Sequence, residues 1–167
     1  MGEVVVVMKD GVVQQSGSPM EIYRNPQNIF VAEFIGSPAM NFLAGRIDPA
    51  RRSAIGSDGA IEIAVGDAVL RAAAKGSGAE VTIGIRPEHL TVASPSDPGE
   101  GQLRLDGLVE VVEPLGAETM VEVNCRGKRL LVRIKGDTLP TVGEKLILHA
   151  ERERFFYFDA ASGRRLA

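Results

Sequence analysis

Residues 119–134 read Thr-Met-Val-Glu-Val-Asn-Cys-Arg-Gly-Lys-Arg-Leu-Leu-Val-Arg-Ile. Thr119, Val121, Val123 and Cys125 fall at every second position, and Leu130, Val132 and Ile134 resume the alternation after a break. That period lines one face of a half-buried strand. Cys125-Arg126-Gly127-Lys128 supplies the bend, so the stretch predicts an antiparallel hairpin with Arg129 and Arg133 turned to water. Working outward, Leu103, Leu105, Val109 and Val111 precede the hairpin with the same period. Leu146, Leu148 and Ala150 alternate with Lys145, Ile147 and His149 after it, and Arg154 to Phe158 forms a last, aromatic strand before a turn over 159–163. About five or six strands of this length close a small barrel.

The same character extends back to Phe42. Ile61, Ile63, Val65 and Val69, then Val81, Ile83 and Ile85, repeat at period two, and Pro87 ends the second run. Arg51 to Ser53 and Ser94 to Gly101 read as loops, the second dividing the region into halves. Short alternating segments separated by Gly, Pro, Asp and Ser predict an all-strand antiparallel barrel or sandwich from Phe42 onward.

The first forty residues differ. Val4 to Met8 is a continuous apolar run followed by Asp10-Gly11 and Val12-Val13, a hairpin whose first strand is expected to be covered on both faces. An isolated hairpin is marginal in water, so further chain upstream is expected to cover it. Ser18-Pro19-Met20-Glu21 is a capping box that opens a short helix, which ends near Asn25 because Pro26 follows. Asn25-Pro26 repeats the cap-plus-proline signal for a second helix, with Phe30 and Phe34, and Val31 and Ile35, at i,i+4 spacing, ended by Gly36 before Ser37-Pro38.

Composition excludes more than it selects. The 167 residues include 44% hydrophobic and 25% charged side chains, as in ordinary globular domains, and a chain of this length buries about two-thirds of its unfolded surface. With 19 basic and 22 acidic residues the net charge is −3, which offers no overall field to nucleic acid or an anionic membrane. Cys125 is the only cysteine, consistent with a reducing, cytosolic setting. Val4 to Met8 is far short of the roughly 20 residues of a membrane span, and no export signal is expected.

No G-x-x-x-x-G-K-[ST] phosphate loop occurs, because Gly127-Lys128 lacks both the earlier glycine and the hydroxyl residue, so no catalytic, cofactor or metal site is expected. His149 has no second His or Cys nearby to share a metal. Cys125 beside Arg126 reads as a small apolar strand residue rather than an activated thiol. Arg86-Pro87-Glu88-His89 is either a charge-dependent contact or the cap of a tight turn, and the turn is preferred.

Val7-Met8, Gly11, Gln15-Ser16-Gly17, Pro19, Glu21-Ile22-Tyr23, Pro26, Phe30-Val31-Ala32 and Phe34-Ile35-Gly36-Ser37-Pro38 together resemble the closing segment of the nucleotide-binding domain in ABC ATPases of the maltose and glycerol-3-phosphate importer class. Ala39-Met40-Asn41-Phe42-Leu43 resembles the entry to that family's extra C-terminal domain. Ile83-Gly84-Ile85-Arg86-Pro87-Glu88-His89-Leu90, Val112 to Glu118, Phe158-Asp159 and Gly163 to Leu166 resemble its transport-associated OB-like barrel. The resemblance implies a mainly β fold, an OB-fold-like (MOP-like) antiparallel barrel over 39–167, preceded over 1–38 by a β-hairpin and two short helices that close the nucleotide-binding domain.

It also implies a non-catalytic regulatory and dimerisation module. ATP and magnesium would belong to the full-length parent, a peripheral protein on the cytoplasmic face of the membrane. Its implied partners are a second copy of the subunit, the permease subunits and a regulatory protein. Ser37, Pro38, Met40, Asn41 and Phe42, and Arg86, Pro87, Glu88 and His89, are the implied contact or hinge residues. Two other readings stay open: a small-anion or sugar-binding MOP-like domain, and a nucleic-acid-binding OB fold. The local basic stretch Arg126, Lys128, Arg129 and Arg133 argues for the last, but four of the eight aromatics sit together at 155–158, where a core role is expected, so no nucleic-acid partner is expected.

Overall fold

The computed structural model describes residues 3–59, 61–75, 79–93, 103–136 and 139–167. Two short strands, β1 (Val5–Lys9) and β2 (Val12–Gly17), form a hairpin turned by Asp10 and Gly11, whose φ of 50° and 78° give the turn its left-handed pair of residues. Helix α1 (Pro19–Arg24) starts where Ser18 Oγ accepts the Glu21 amide at 3.3 Å. Helix α2 (Ile29–Phe34) starts at a different cap from the expected one: Asn28 Oδ1 accepts the Val31 amide at 2.9 Å, while Asn25 closes α1. Pro26 holds the intervening chain extended, which moves the second helix three residues on.

Ten strands make two five-stranded sheets. One has the order β12 (Phe155–Asp159), β6 (Glu80–Ile85), β3 (Asn41–Asp48), β4 (Ser53–Gly56), β5 (Glu62–Ala64); the other has the order β10 (Lys128–Lys135), β9 (Glu118–Cys125), β8 (Leu103–Pro114), β11 (Lys145–Ala150), β7 (Thr91–Val92). The pairings are antiparallel. The β9–β10 hairpin turns on Arg126 and Gly127, at φ 52° and 83°, with the Gly127 amide donating to Asn124 Oδ1 at 2.7 Å. The two sheets exchange strands: β7, from the first half, pairs with β11, and β12, from the second half, pairs with β6. The predicted divider, Ser94 to Gly101, lies outside the described residues.

Two further expectations are corrected. Residues 67–75 are a helix, α3 (Asp67–Lys75), so Val69 belongs to no strand and the barrel region is not all-strand. Asp67-Ala68-Val69-Leu70-Arg71-Ala72-Ala73-Ala74-Lys75 is rich in alanine, the residue that helices accept most readily, and it carries an acid at its start and a base at its end. Arg133 is not turned to water: its side chain is 24% exposed and donates from Nη2 to the Ser37 carbonyl at 2.7 Å. Within this chain β1 is covered on one face, with Val7 buried while Val4, Val6 and Met8 are each more than half exposed, which leaves the expected cover from further chain untested.

A single large core fills the space between the two sheets, with Ile83, Leu148, Val121, Val123 and Val132 wholly buried. Strand β12 is buried on both faces. Phe155 and Tyr157 enter this core, while the alternate residues Phe156 and Phe158 meet Met40 and Ala32 in a second cluster under the helices.

Asn41 sews the sheets together at the open side. From β3 its Nδ2 donates to the Leu131 carbonyl at 2.9 Å and its Oδ1 accepts the Leu131 amide at 2.7 Å, so one side chain pairs with β10 as a strand would. Replacing Asn41 by Ala strands both Leu131 groups and is expected to destabilise the chain by about 1–3 kcal/mol in urea unfolding. Asn41→Asp, which keeps only acceptors, is expected to lose as much or more, whereas an exposed control, Lys145→Ala, shifts the midpoint little.

Candidate functional site

Several of the residues singled out from the sequence meet at the seam between residues 3–38 and the two sheets. Arg86 occupies its centre. Strand β6 ends at Ile85, and Pro87 opens a 3-10 turn over Pro87–His89, so the chain bends sharply and drives the Arg86 side chain away from the barrel core. There it is 1% exposed. Nη2 donates to the Tyr23 carbonyl at 2.7 Å and Nη1 to the Ile35 carbonyl at 3.1 Å. Tyr23 lies in the last turn of α1 and Ile35 is the C-cap of α2. Both acceptors are thus helix-end carbonyls, which carry partial negative charge and have no partner within their own helices.

The guanidinium also lies 3.7 Å from the Tyr23 ring centroid and 6.0 Å from that of Phe156. Among the described residues no carboxylate pairs with it, and Nε is buried without a hydrogen-bond partner. Burial alone pulls its pKa down to about 10, still charged at neutral pH. Gly36 leaves the necessary room: a Cβ there would lie 2.8 Å from Arg86 Nη1, and its φ of 139° suits glycine in any case.

The other singled-out residues surround this contact. Ser37 is exposed, but its carbonyl takes the Arg133 bond, which ties the linker to β10. Pro38 follows a cis peptide bond. Met40 is buried with Ala32, Phe156 and Phe158, and Phe42 meets Phe158 edge-on with centroids 6.1 Å apart. Pro87 is buried, and Glu88 and His89 are half-buried in the turn. Four of the nine, Met40, Asn41, Arg86 and Pro87, are buried and four more are half-buried, so few present a surface to another molecule.

Sequence reading missed the partners on the far side. Arg165 Nη1 donates to Asn25 Oδ1 at 3.3 Å, its guanidinium lies 5.1 Å from the Phe156 centroid, and its amide donates to the Gln27 carbonyl at 2.9 Å. The Ile29 amide donates to the Gly163 carbonyl at 2.9 Å. Residues 163–165 thus clasp the helices from behind. Nothing in a turn-rich segment about 130 residues downstream in sequence signals that role locally. Tyr23 and Phe156 carry no local signal that they stack on Arg86.

Other candidates carry less. Cys125 is buried, and its thiol pKa is pushed up to about 11 by burial and then by Asp106, the reverse of what Arg126 alone would do. Phe155 to Phe158 are all buried, so none of them is presented to a base. Among the described residues no three His, Cys, Asp or Glu side chains converge as a metal site.

Residues 36–90 match the MalK OB fold domain family and residues 83–158 match the TOBE domain family. The chain carries a MalK-type OB domain followed by a TOBE domain. The two matches overlap over residues 83–90, the end of β6 and the turn that carries Arg86. The chain is 34% identical over 166 residues to the sn-glycerol-3-phosphate import ATP-binding protein UgpC of Escherichia coli strain K12. It is 36% identical to the protein of the same name from Shigella boydii serotype 4. Each match takes in 99% of this chain but 44% of the relative, in its C-terminal part, so the chain spans less than half the length of these curated relatives. Among solved structures, the cytoplasmic molybdate-binding protein ModG superposes with a TM-score of 0.55 at 12% identity, over 70% of this chain and 94% of that one. That likeness establishes the shared OB-like β fold.

His89 gives the turn after β6 a pH signature. Burial holds its imidazole below the ordinary value of 6.5, with Glu88 opposing and Arg154 and Arg86 reinforcing the shift. As pH falls through 6.5 the unfolded chain binds a proton that the folded chain refuses, so this group's contribution to stability declines and levels off below the depressed folded value. Urea midpoints between about pH 7 and pH 5 are expected to fall less steeply for His89→Asn than for the unaltered chain.

Proposed function

We propose that this chain is the C-terminal regulatory portion of the ATP-binding subunit of an ABC importer for a carbohydrate or polyol phosphate. One observation carries the reading: the likeness to ATP-binding import proteins takes in 99% of the chain, residues 3–38 as well as the OB and TOBE matches. Residues 1–38 supply the end of the nucleotide-binding domain, and residues 39–167 supply the regulatory module. The half-exposed apolar face of β1 and β2, with Val4, Val6, Met8, Val12 and Val13, is the kind of surface that the rest of a nucleotide-binding domain would cover.

In this reading ATP and magnesium are held by the complete subunit, outside residues 1–167, and hydrolysis is not a property of this portion. The complete subunit sits on the cytoplasmic face of the membrane against permease subunits. The module meets its counterpart on a second copy and keeps the pair at high effective concentration while the nucleotide domains separate. A regulatory partner that binds the module biases the same open and closed states.

The seam supports transmission. A module joined by a flexible tether reports nothing about its neighbour's position, whereas Arg86 bonded to the ends of both helices makes the body and the helices move together. Sedimentation velocity over a range of concentrations is expected to show reversible self-association of this chain and no turnover of ATP; a strict monomer at every concentration would remove the dimerisation role. In the complete subunit, Arg86→Met is expected to leave nucleotide binding intact and to weaken control of hydrolysis by whatever acts on the module, read as the ratio of hydrolysis rates with and without that partner.

A further inference from the structure

Strand β8 turns two apolar side chains to solvent. Leu105 and Val109 face the core, and undisturbed alternation would send Val111 inward after them. An extra residue, Glu110, breaks the register: Val109 stands opposite Val123, whereas Val111 stands opposite Glu122 and Val112 opposite the core residue Val121. The bulge therefore turns Val112 inward and leaves Val111 outward, 46% exposed. Leu108, already outward by the alternation, is 43% exposed.

Val142 joins them from the side. The turn that precedes β11 is pinned to this stretch of β8, the Gly143 amide donating to the Val109 carbonyl and the Val109 amide to the Glu144 carbonyl, each at 2.9 Å. Within the turn the Glu144 amide donates to the Thr141 carbonyl at 3.0 Å, and the Thr141 amide donates to Glu144 Oε2 at 2.8 Å. Turn tips favour Gly, Pro, Asn, Asp and Ser, yet this one holds up Val142, 67% exposed. Three apolar side chains are thus presented together on stiff backbone, which single scattered ones are not. Charge around them is ordered too. Lys145 lies opposite Leu108 at one end, and Glu113 lies two residues beyond Val111 at the other. Both are exposed, and neither has an ion-pair partner among the described residues. Glu110, between them, is committed within the chain to Arg129 at 3.2 Å and to Asn124 Nδ2 at 2.6 Å.

We propose that two copies of the chain meet on this strip, related by a two-fold axis with their β8 strands antiparallel, which rests on the self-association proposed above and gives it a surface. A cation, an apolar centre and an anion in line along one strand are complementary to the same pattern turned through 180°. Leu108, Val111 and Val142 of both copies form the centre, and Lys145 of each copy lies beside Glu113 of the other. A centre this small makes a weak, reversible contact, suited to copies that are also held near each other by other means. None of these residues belongs to the seam, so the surface stays available while Arg86 holds the helices.

Sedimentation velocity of the 167-residue chain at low salt, over a range of concentrations, tests the surface through four variants. Val111→Glu places a charge at the centre and is expected to weaken self-association by about tenfold or more. Glu113→Lys and Lys145→Glu each set like charges against one another across the axis and are each expected to weaken it about fivefold. The double variant exchanges the two charges and is expected to return to within about twofold of the unaltered chain, a recovery that mere damage to the fold does not produce. All three side chains are exposed, so far-UV spectra and urea midpoints of the dilute variants are expected to match those of the unaltered chain. Self-association that is unchanged in Val111→Glu, or that the exchange of charges fails to recover, overturns this surface and leaves the wider self-association standing. An unaltered chain that is monomeric at every concentration removes both.

Discussion

A guanidinium buried to 1% exposure with only carbonyl oxygens and aromatic faces around it is the constraint on which the rest of this structure turns. Removing a full charge from water is expensive, and the usual remedy is a carboxylate. Here compensation comes from the negative ends of two short helices, from the Tyr23 ring and from Phe156. The arrangement works only when both helices are in place. Neither helix, six residues each, is long enough to be stable on its own, and both depend on tertiary contacts for their existence. Arg86 and the helices are thus mutually conditional, which makes the seam a single cooperative unit.

The two-sheet body supplies the rigidity that such a seam needs. Exchange of β7 and β12 between the sheets, together with the Asn41 bonds to Leu131, prevents either half from shifting as a separate layer. Close approach of the strands depends on glycine at specific places: a Cβ on Gly107 would lie 2.3 Å from a Val123 methyl and 2.7 Å from the Cys125 sulfur. Because β12 is buried on both faces, the wall of the main core and the floor beneath α2 are one and the same strand. A displacement of the helices is therefore felt by Phe156 and Phe158, and through the backbone by Phe155 and Tyr157.

Much of the body was legible in the sequence because period-two alternation survives wherever one strand face is buried. The hairpin at 119–134, β6 and β11 show it plainly. The alternation failed at 67–75, where Val69 continued the spacing of Ile61, Ile63 and Val65 by coincidence and the alanines that follow were passed over. It also failed for Arg133, since a charged residue at an outward position reads as solvated unless the covering segment, here the linker carbonyl of Ser37 almost a hundred residues away, is already placed. The seam was legible only as a motif. Its residue types were visible at 37–42 and 86–89, but their inward orientation, the role of Tyr23 and the clasp by Arg165 depend on contacts between distant segments that no local pattern encodes.

The position of β12 also governs when this molecule is able to fold during synthesis. Its pairing with residues 81–85 and its cover over Ala32 and Met40 join segments 70 to more than 120 positions apart. Long-range pairings of this kind close late and slowly. On the ribosome the helices, β3 and β6 emerge with their apolar faces bare and stay so until the aromatic strand leaves the exit tunnel. A chain that ends before residue 155 lacks both the fifth strand beside β6 and the aromatic cover over Ala32 and Met40.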